Sequence, residues 1–135
     1  MLPSMLTHLP NTPRRALVID DDPSNREAFA GLLETEGYQV LQAADGCSGF
    51  AQIQTAHPDL VITDIDLPSL DGLALVRAVH ADAELCHIPV LATSGLTLTE
   101  AQANEFGAVL RKPVDPDQFL QTVARMLALR GAPKA

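Results

Sequence analysis

Short apolar runs of four or five residues alternate along the chain with longer stretches in which apolar residues recur every three or four positions. The first pattern marks strands covered on both faces and the second marks amphipathic helices. Ala16 to Ile19 is the first run, and Asp22-Pro23 after it supplies a helix cap with proline at the first helical position. Phe29, Leu32 and Leu33 stripe the predicted helix, and Gly37 ends it. A second strand is predicted over Tyr38 to Ala43, then a shorter helix carrying Phe50 and Ile53, then a third strand over Leu60 to Thr63. The loop DIDLPSLDG follows, with a helix striped by Leu73, Val76 and Val79. Pro89 to Thr93 is the fourth strand, and Thr97 with Glu100 fits a capping box for the fourth helix. Val109 to Arg111 is the fifth strand. Asp115-Pro116 repeats the cap-then-proline device before a last helix striped by Phe119, Leu120, Val123, Met126 and Leu127 as far as Gly131.

Five strands alternating with five helices predict an α/β fold, a doubly wound parallel sheet with helices on both faces. The first 13 residues are proline-rich and aperiodic and read as an N-terminal arm; residues 14–130 read as one domain and 131–135 as a tail. A chain of 135 residues suits one core better than two. Sheets of this kind bind ligands beyond the carboxyl ends of their strands.

The strand exits hold the polar chemistry. Asp20, Asp21 and Asp22 follow the first strand, Asp64 and Asp66 the third, Ser94 the fourth and Lys112 the fifth. Clustered carboxylates raise one another's pKa unless a proton or a cation offsets the repulsion. A hard cation such as Mg²⁺, which takes oxygen ligands, fits that need. A metal, an ammonium and a hydroxyl converging on one place suit a transferred phosphoryl group, whose chemistry is mainly positioning and charge neutralisation. Asp64, at the mouth of the apolar strand LVIT, is the candidate nucleophile, able to form an acyl phosphate.

Composition narrows the partners. Nine Lys and Arg against seventeen Asp and Glu give a formal charge of -8, which repels phosphate backbones and argues against direct nucleic-acid binding. Cys47 and Cys86 lack disulfide-framework or zinc spacing, and the four histidines are too scattered for a shared metal site. No segment has the apolar length for membrane insertion and the first residues lack a signal-peptide pattern, so a cytoplasmic location is expected.

VIDDDPSNRE, LVITDIDLPSLDG, PVLATSG and RKP, in this order on these elements, resemble the receiver domain of two-component response regulators over roughly residues 14 to 130. The resemblance implies a flavodoxin-like, receiver-type fold and a single-domain signalling phosphoacceptor, with no enzymatic activity beyond self-phosphotransfer and autodephosphorylation. Asp64 would accept the phosphoryl group from a sensor histidine kinase or a histidine phosphotransfer protein. Asp21 would ligate Mg²⁺ directly, Asp20 directly or through water, and Asp66 through its main-chain carbonyl. Ser94 would follow the phosphoryl group, Lys112 would pair with it, and Pro113 would follow a cis peptide. Asp22 is left to cap the first helix. The signal would leave by contact with a downstream protein target or by relay of the phosphate.

Two departures stand out. The family usually has Tyr or Phe three positions before the lysine, where this chain has Val109, and the Ser94–Lys112 segment is about one helical turn short. Altered output through this region is expected. Leu96, two residues beyond Ser94, is apolar where the family influences access of the hydrolytic water, so a slowly decaying phosphoaspartate is expected. Two other readings compete: a receiver-like interaction scaffold that never carries phosphate, and a haloacid-dehalogenase-type phosphatase suggested by the paired aspartates of ITDID.

Overall fold

A computed structural model describes residues 14–131. The elements run β1 (Arg15–Ile19), α1 (Pro23–Thr35), β2 (Gln39–Ala43), α2 (Gly46–Ala56), β3 (Leu60–Asp64), α3 (Gly72–Ala81), β4 (Val90–Ser94), α4 (Glu100–Ala103), β5 (Ala108–Arg111) and α5 (Pro116–Gly131). All strand pairs are parallel, in the order β2-β1-β3-β4-β5. This is the doubly wound five-stranded architecture expected from the alternation. The predicted N-terminal arm and the last four residues of the predicted tail lie outside the described residues.

Strand alternation sorts the core into two layers, because successive side chains leave opposite faces of a sheet. Ala16 and Val18 of β1, Leu60 and Ile62 of β3, Leu91 of β4 and Leu110 of β5 pack on one face against Phe29 and Leu33 of α1 and Phe119, Val123 and Met126 of α5. The rings of Phe29 and Phe119 meet there at 4.7 Å between centroids. On the other face Leu17, Ile19, Val61, Val90 and Ala92 meet Ile53 of α2 and Leu75, Val76 and Val79 of α3. Fully burying such a side chain contributes about 1.5–3 kcal/mol, so both layers hold the sheet firmly. β3 is buried throughout, whereas the edge strand β2 exposes Gln39 and Gln42, as its composition requires.

Local signals act largely as read. Asp22 caps α1 by accepting from the Ser24 amide at 2.9 Å, with Pro23 behind it, and Gly37 at φ 90° lets the chain turn away. Asp115 accepts from the Gln118 amide at the start of α5. Tyr38 and Pro89 fall just outside β2 and β4, and β5 begins one residue earlier than expected. The Thr97–Glu100 capping box is corrected. Thr99 is the N-cap, with Gln102 completing the box, while the Thr97 hydroxyl accepts from Arg111 Nη1 at 3.0 Å. The turn after Ser94 takes up more of the connection than the pattern suggested, which leaves Glu100 as the first residue of a four-residue helix.

Candidate functional site

Parallel strands end at one edge, and β1 and β3 are neighbours at the centre of the sheet, so the acidic exits meet without help from long loops. Asp20 is held on several sides. Its amide donates to the Ala43 carbonyl at 3.1 Å, and its Oδ1 accepts from the Asp22 amide at 2.9 Å. Its Oδ2 is buried without a partner. Burial pushes the Asp20 carboxyl above its ordinary pKa, and the Asp22 amide and the Lys112 charge only partly oppose that rise. Asp21, next in the turn, is exposed.

Asp64 ends β3 and is 6% exposed. Its Oδ2 accepts from Lys112 Nζ at 3.0 Å, and its Oδ1 from the Asp66 amide at 3.2 Å. Carboxylate oxygens of Asp20, Asp21 and Asp64 lie within 4.8 Å of one another. For Lys112, burial lowers the pKa, but the hydrogen bond to Asp64 and the charges of Asp64, Asp20 and Asp21 outweigh it and raise the pKa overall. The peptide joining Lys112 to Pro113 is cis.

Ser94 ends β4 and lines a cleft of about 330 Å³ together with Asp64, Ile65, Asp66, Leu96, Leu98 and Lys112. Its hydroxyl is engaged locally, donating to the Leu96 carbonyl at 2.8 Å and accepting from the Leu96 amide at 3.0 Å. The neighbouring Thr93 hydroxyl is fully buried without a hydrogen-bond partner and is not among the residues lining this cleft. Leu96 itself is 71% exposed at the cleft mouth.

The β3–α3 loop is fixed by two close approaches. A Cβ on Gly72 would stand 2.7 Å from the Asp64 carbonyl oxygen, and one on Gly46, at the start of α2, would collide with the Leu70 carbonyl oxygen. Neither position has room for a side chain. Ser69 turns through φ 68°, a left-handed conformation that the pattern did not signal.

The sequence-predicted residues therefore divide as follows. Asp20, Asp21, Asp64 and Lys112 form one cluster; Ser94 faces the same cleft while bonded to Leu96; the Asp66 side chain is exposed and its amide, rather than its carboxylate, touches Asp64. Arg26 was not singled out by patterning, yet its Nη1 donates to the Asp20 carbonyl at 2.8 Å. No signal along the chain marks this contact, because its acceptor is a main-chain carbonyl. The donor set is carboxylate oxygen, and the unpartnered Asp20 Oδ2 together with the raised Asp20 carboxyl leaves an unmet demand for positive charge. These residues fit a hard divalent cation such as Mg²⁺. Cys47 and Cys86 are exposed free thiols, and among the described residues no helix is long and apolar enough to cross a membrane.

Comparison with known proteins points the same way. Protein PilH of Pseudomonas aeruginosa is 36% identical over 118 residues, covering 84% of this chain and 98% of PilH. The polar-differentiation response regulator DivK of Brucella ovis is 29% identical over 118 residues, covering 84% of this chain and 96% of DivK. Among solved structures, the chemotaxis response regulator CheY4 of Vibrio cholerae superposes with a TM-score of 0.78 at 31% identity, over 84% of this chain and 98% of that one. A CheY-like receiver domain protein of Methanospirillum hungatei gives 0.81 at 28% identity, over 88% and 97%. The response regulator receiver domain family matches residues 16–124, a span that takes in all five strands except Arg15 at the start of β1, and all the clustered strand-exit residues. The haloacid-dehalogenase alternative thereby loses its ground: this chain belongs to the response regulator receiver domain family.

Proposed function

We propose that the protein is a phosphoacceptor whose Asp64 carboxylate takes a phosphoryl group from a phosphohistidine on a sensor histidine kinase or a histidine phosphotransfer protein. An Asp64 carboxylate oxygen attacks phosphorus, and the P–N bond of the donor breaks with its electron pair staying on the imidazole. An acyl phosphate remains on Asp64. Lys112 already touches Asp64 Oδ2 and neutralises part of the arriving charge. Ser94, in the same cleft, exchanges its Leu96 partners for a phosphoryl oxygen. The carboxylates of Asp20, Asp21 and Asp64, with the main-chain carbonyl of Asp66, would hold Mg²⁺. That ion, when bound, supplies neutralisation of the phosphoryl oxygens.

The carrying observation is the cluster itself: the Asp64 carboxylate stands beside both an acidic pair that calls for a cation and an ammonium at 3.0 Å. A bare interaction scaffold gives no reason for the unpartnered Asp20 Oδ2 to be buried in a cluster with the Asp21 and Asp64 carboxylates. The product acts through protein contacts, by relay to another histidine or by docking of a downstream target. Incubation with Mg²⁺ and acetyl phosphate, followed by intact-mass measurement, is expected to add one phosphoryl group to the protein and none to Asp64→Asn. An unmodified wild-type protein under these conditions, and under incubation with a phosphotransfer protein, would return the scaffold reading to first place.

A further inference from the structure

The acidic cluster leaves unexplained what keeps the β1–α1 turn in shape, since Asp20 and Asp21 repel each other and Asp64. Asp20 has four polar groups. Its amide is bound by β2, its Oδ1 by the Asp22 amide, and its Oδ2 is free for a cation. The fourth, its carbonyl, accepts from Arg26 Nη1 at 2.8 Å. The same guanidinium donates through Nε to Gln42 Oε1 of β2 at 3.2 Å, and the Gln42 carbonyl accepts from Gln52 Nε2 of α2 at 2.8 Å. Arg26 thus joins the carbonyl that begins the Asp20–Asp21 peptide to a polar chain running across β2 to α2. The planar fork of arginine suits this two-direction contact, which no other side chain makes with one rigid group.

We infer that Arg26 is a positioning residue for the cation site, fixing the Asp20–Asp21 peptide so that the free Oδ2 of Asp20 and the Asp21 carboxylate face Asp64. The inference rests on the reading of Asp20, Asp21 and Asp64 as that site. Arg26 does not touch the cation; it acts by orienting groups that do. Groups that orient ligands typically change metal affinity by about 10–100-fold when removed.

The test is a Mg²⁺ titration of the full chain without any phosphodonor, followed by amide NMR shifts at residues 20–22 and 64–66. Wild type, Arg26→Gln, Arg26→Lys and Arg125→Gln are compared, with melting temperatures taken in chelator. Arg125 is exposed on α5, so its variant removes the same charge away from the turn. The expected result is a dissociation constant about 10-fold weaker in Arg26→Gln. It is unchanged in Arg125→Gln and intermediate in Arg26→Lys, which keeps a donor for the Asp20 carbonyl but loses the fork. A folded Arg26→Gln with wild-type affinity, or a loss matched by Arg125→Gln, overturns the inference. If Arg26→Gln unfolds, Arg26→Lys decides: affinity weaker than wild type in that folded variant upholds the inference, and wild-type affinity overturns it. A wild-type protein that gives no Mg²⁺-dependent shifts instead brings down the cation site itself.

Discussion

Lys112 Nζ reaches Asp64 Oδ2 at 3.0 Å, joining the exit of β5 to the exit of β3 across the whole width of β4. The ammonium therefore occupies ground that a cation bound by Asp64 would share. Removing it has opposite effects on two measurements. Lys112→Met is expected to bind Mg²⁺ several-fold more tightly, because a competing positive charge is gone. It should also accept phosphate from acetyl phosphate roughly 10²-fold more slowly, the usual effect of deleting a charge-stabilising donor. Titration and intact-mass time courses check the two halves separately.

Asp20 gives a pH dependence of definite sign. Its folded-state pKa is raised by burial, so the native protein holds that proton more readily than the unfolded chain. Ionising Asp20 therefore weakens the fold as pH rises from the ordinary carboxylate value through the raised one. The cost grows as pH rises through the folded value and vanishes below the unfolded value. Asp20→Asn should stabilise the metal-free protein at pH 7 by roughly 0.5–2 kcal/mol, a gain of the size seen when functional strain is relieved. Thermal melts at pH 7 and pH 4 check this, and the gain should shrink at the lower pH. Lys112 shifts in the same direction in a higher window: its raised pKa contributes stability that is complete at neutral pH and is lost only as pH climbs through the folded value, above 10.5.

The Ser94 hydroxyl cannot keep both Leu96 bonds and also turn to a phosphoryl group on Asp64. Amide exchange at Leu96 is expected to quicken in the beryllofluoride-bound protein. Val109, a branched aliphatic in a partly buried site, should stay as protected as before. Slower exchange at Leu96, or exchange changes centred on Val109, would contradict this route.

Leu96 is 71% exposed at the cleft mouth, beside Asp64 and Ser94. An apolar side chain there offers no hydrogen bond to an incoming water. Leu96→Glu is expected to shorten the lifetime of the phosphorylated state several-fold, measured as the decay of the phosphorylated mass after removal of donor. A wild-type lifetime of seconds, unmoved by the substitution, would count against the apolar barrier.

Gly46 and Gly72 test whether the β3–α3 loop is held by packing. A methyl on Gly46 would collide with the Leu70 carbonyl, and one on Gly72 with the Asp64 carbonyl. Each Gly→Ala change should destabilise by about 1–3 kcal/mol, the cost of overpacking. Gly31→Ala, where nothing lies within 4 Å, should be neutral or mildly stabilising in its helix. Chemical denaturation of the three variants checks the order.

Much of this was legible in the residues because the relevant signals are short-range. The apolar runs LVI and LVIT have the length and β-branched content of covered strands, and Asp22-Pro23 and Asp115-Pro116 mark helix starts by local hydrogen bonding alone. The acidic cluster was readable once the strands were parallel, since parallel strands send all their exits to one edge. What escaped depends on distant partners. The true α4 cap, Thr99, was hidden because Thr97 and Thr99 both satisfy the local rule, and the contact of Arg111 with Thr97 is invisible along the chain. The Arg26 contact escaped for a different reason: the carbonyl of Asp20 carries no residue-type signature. The left-handed Ser69 was missed because its conformation is imposed by the docked loop rather than by its own chemistry.

The placement of β1 and β3 side by side also governs where this protein can tolerate changes of length. A residue gained within LVIT would turn Asp64 toward the opposite helical layer, since facing alternates at every step. Additions between Leu96 and Thr99 would leave that facing untouched. Evolution is thus free to lengthen or trim the outward connections, the abbreviated α4 included, while the arithmetic of the central strands stays frozen.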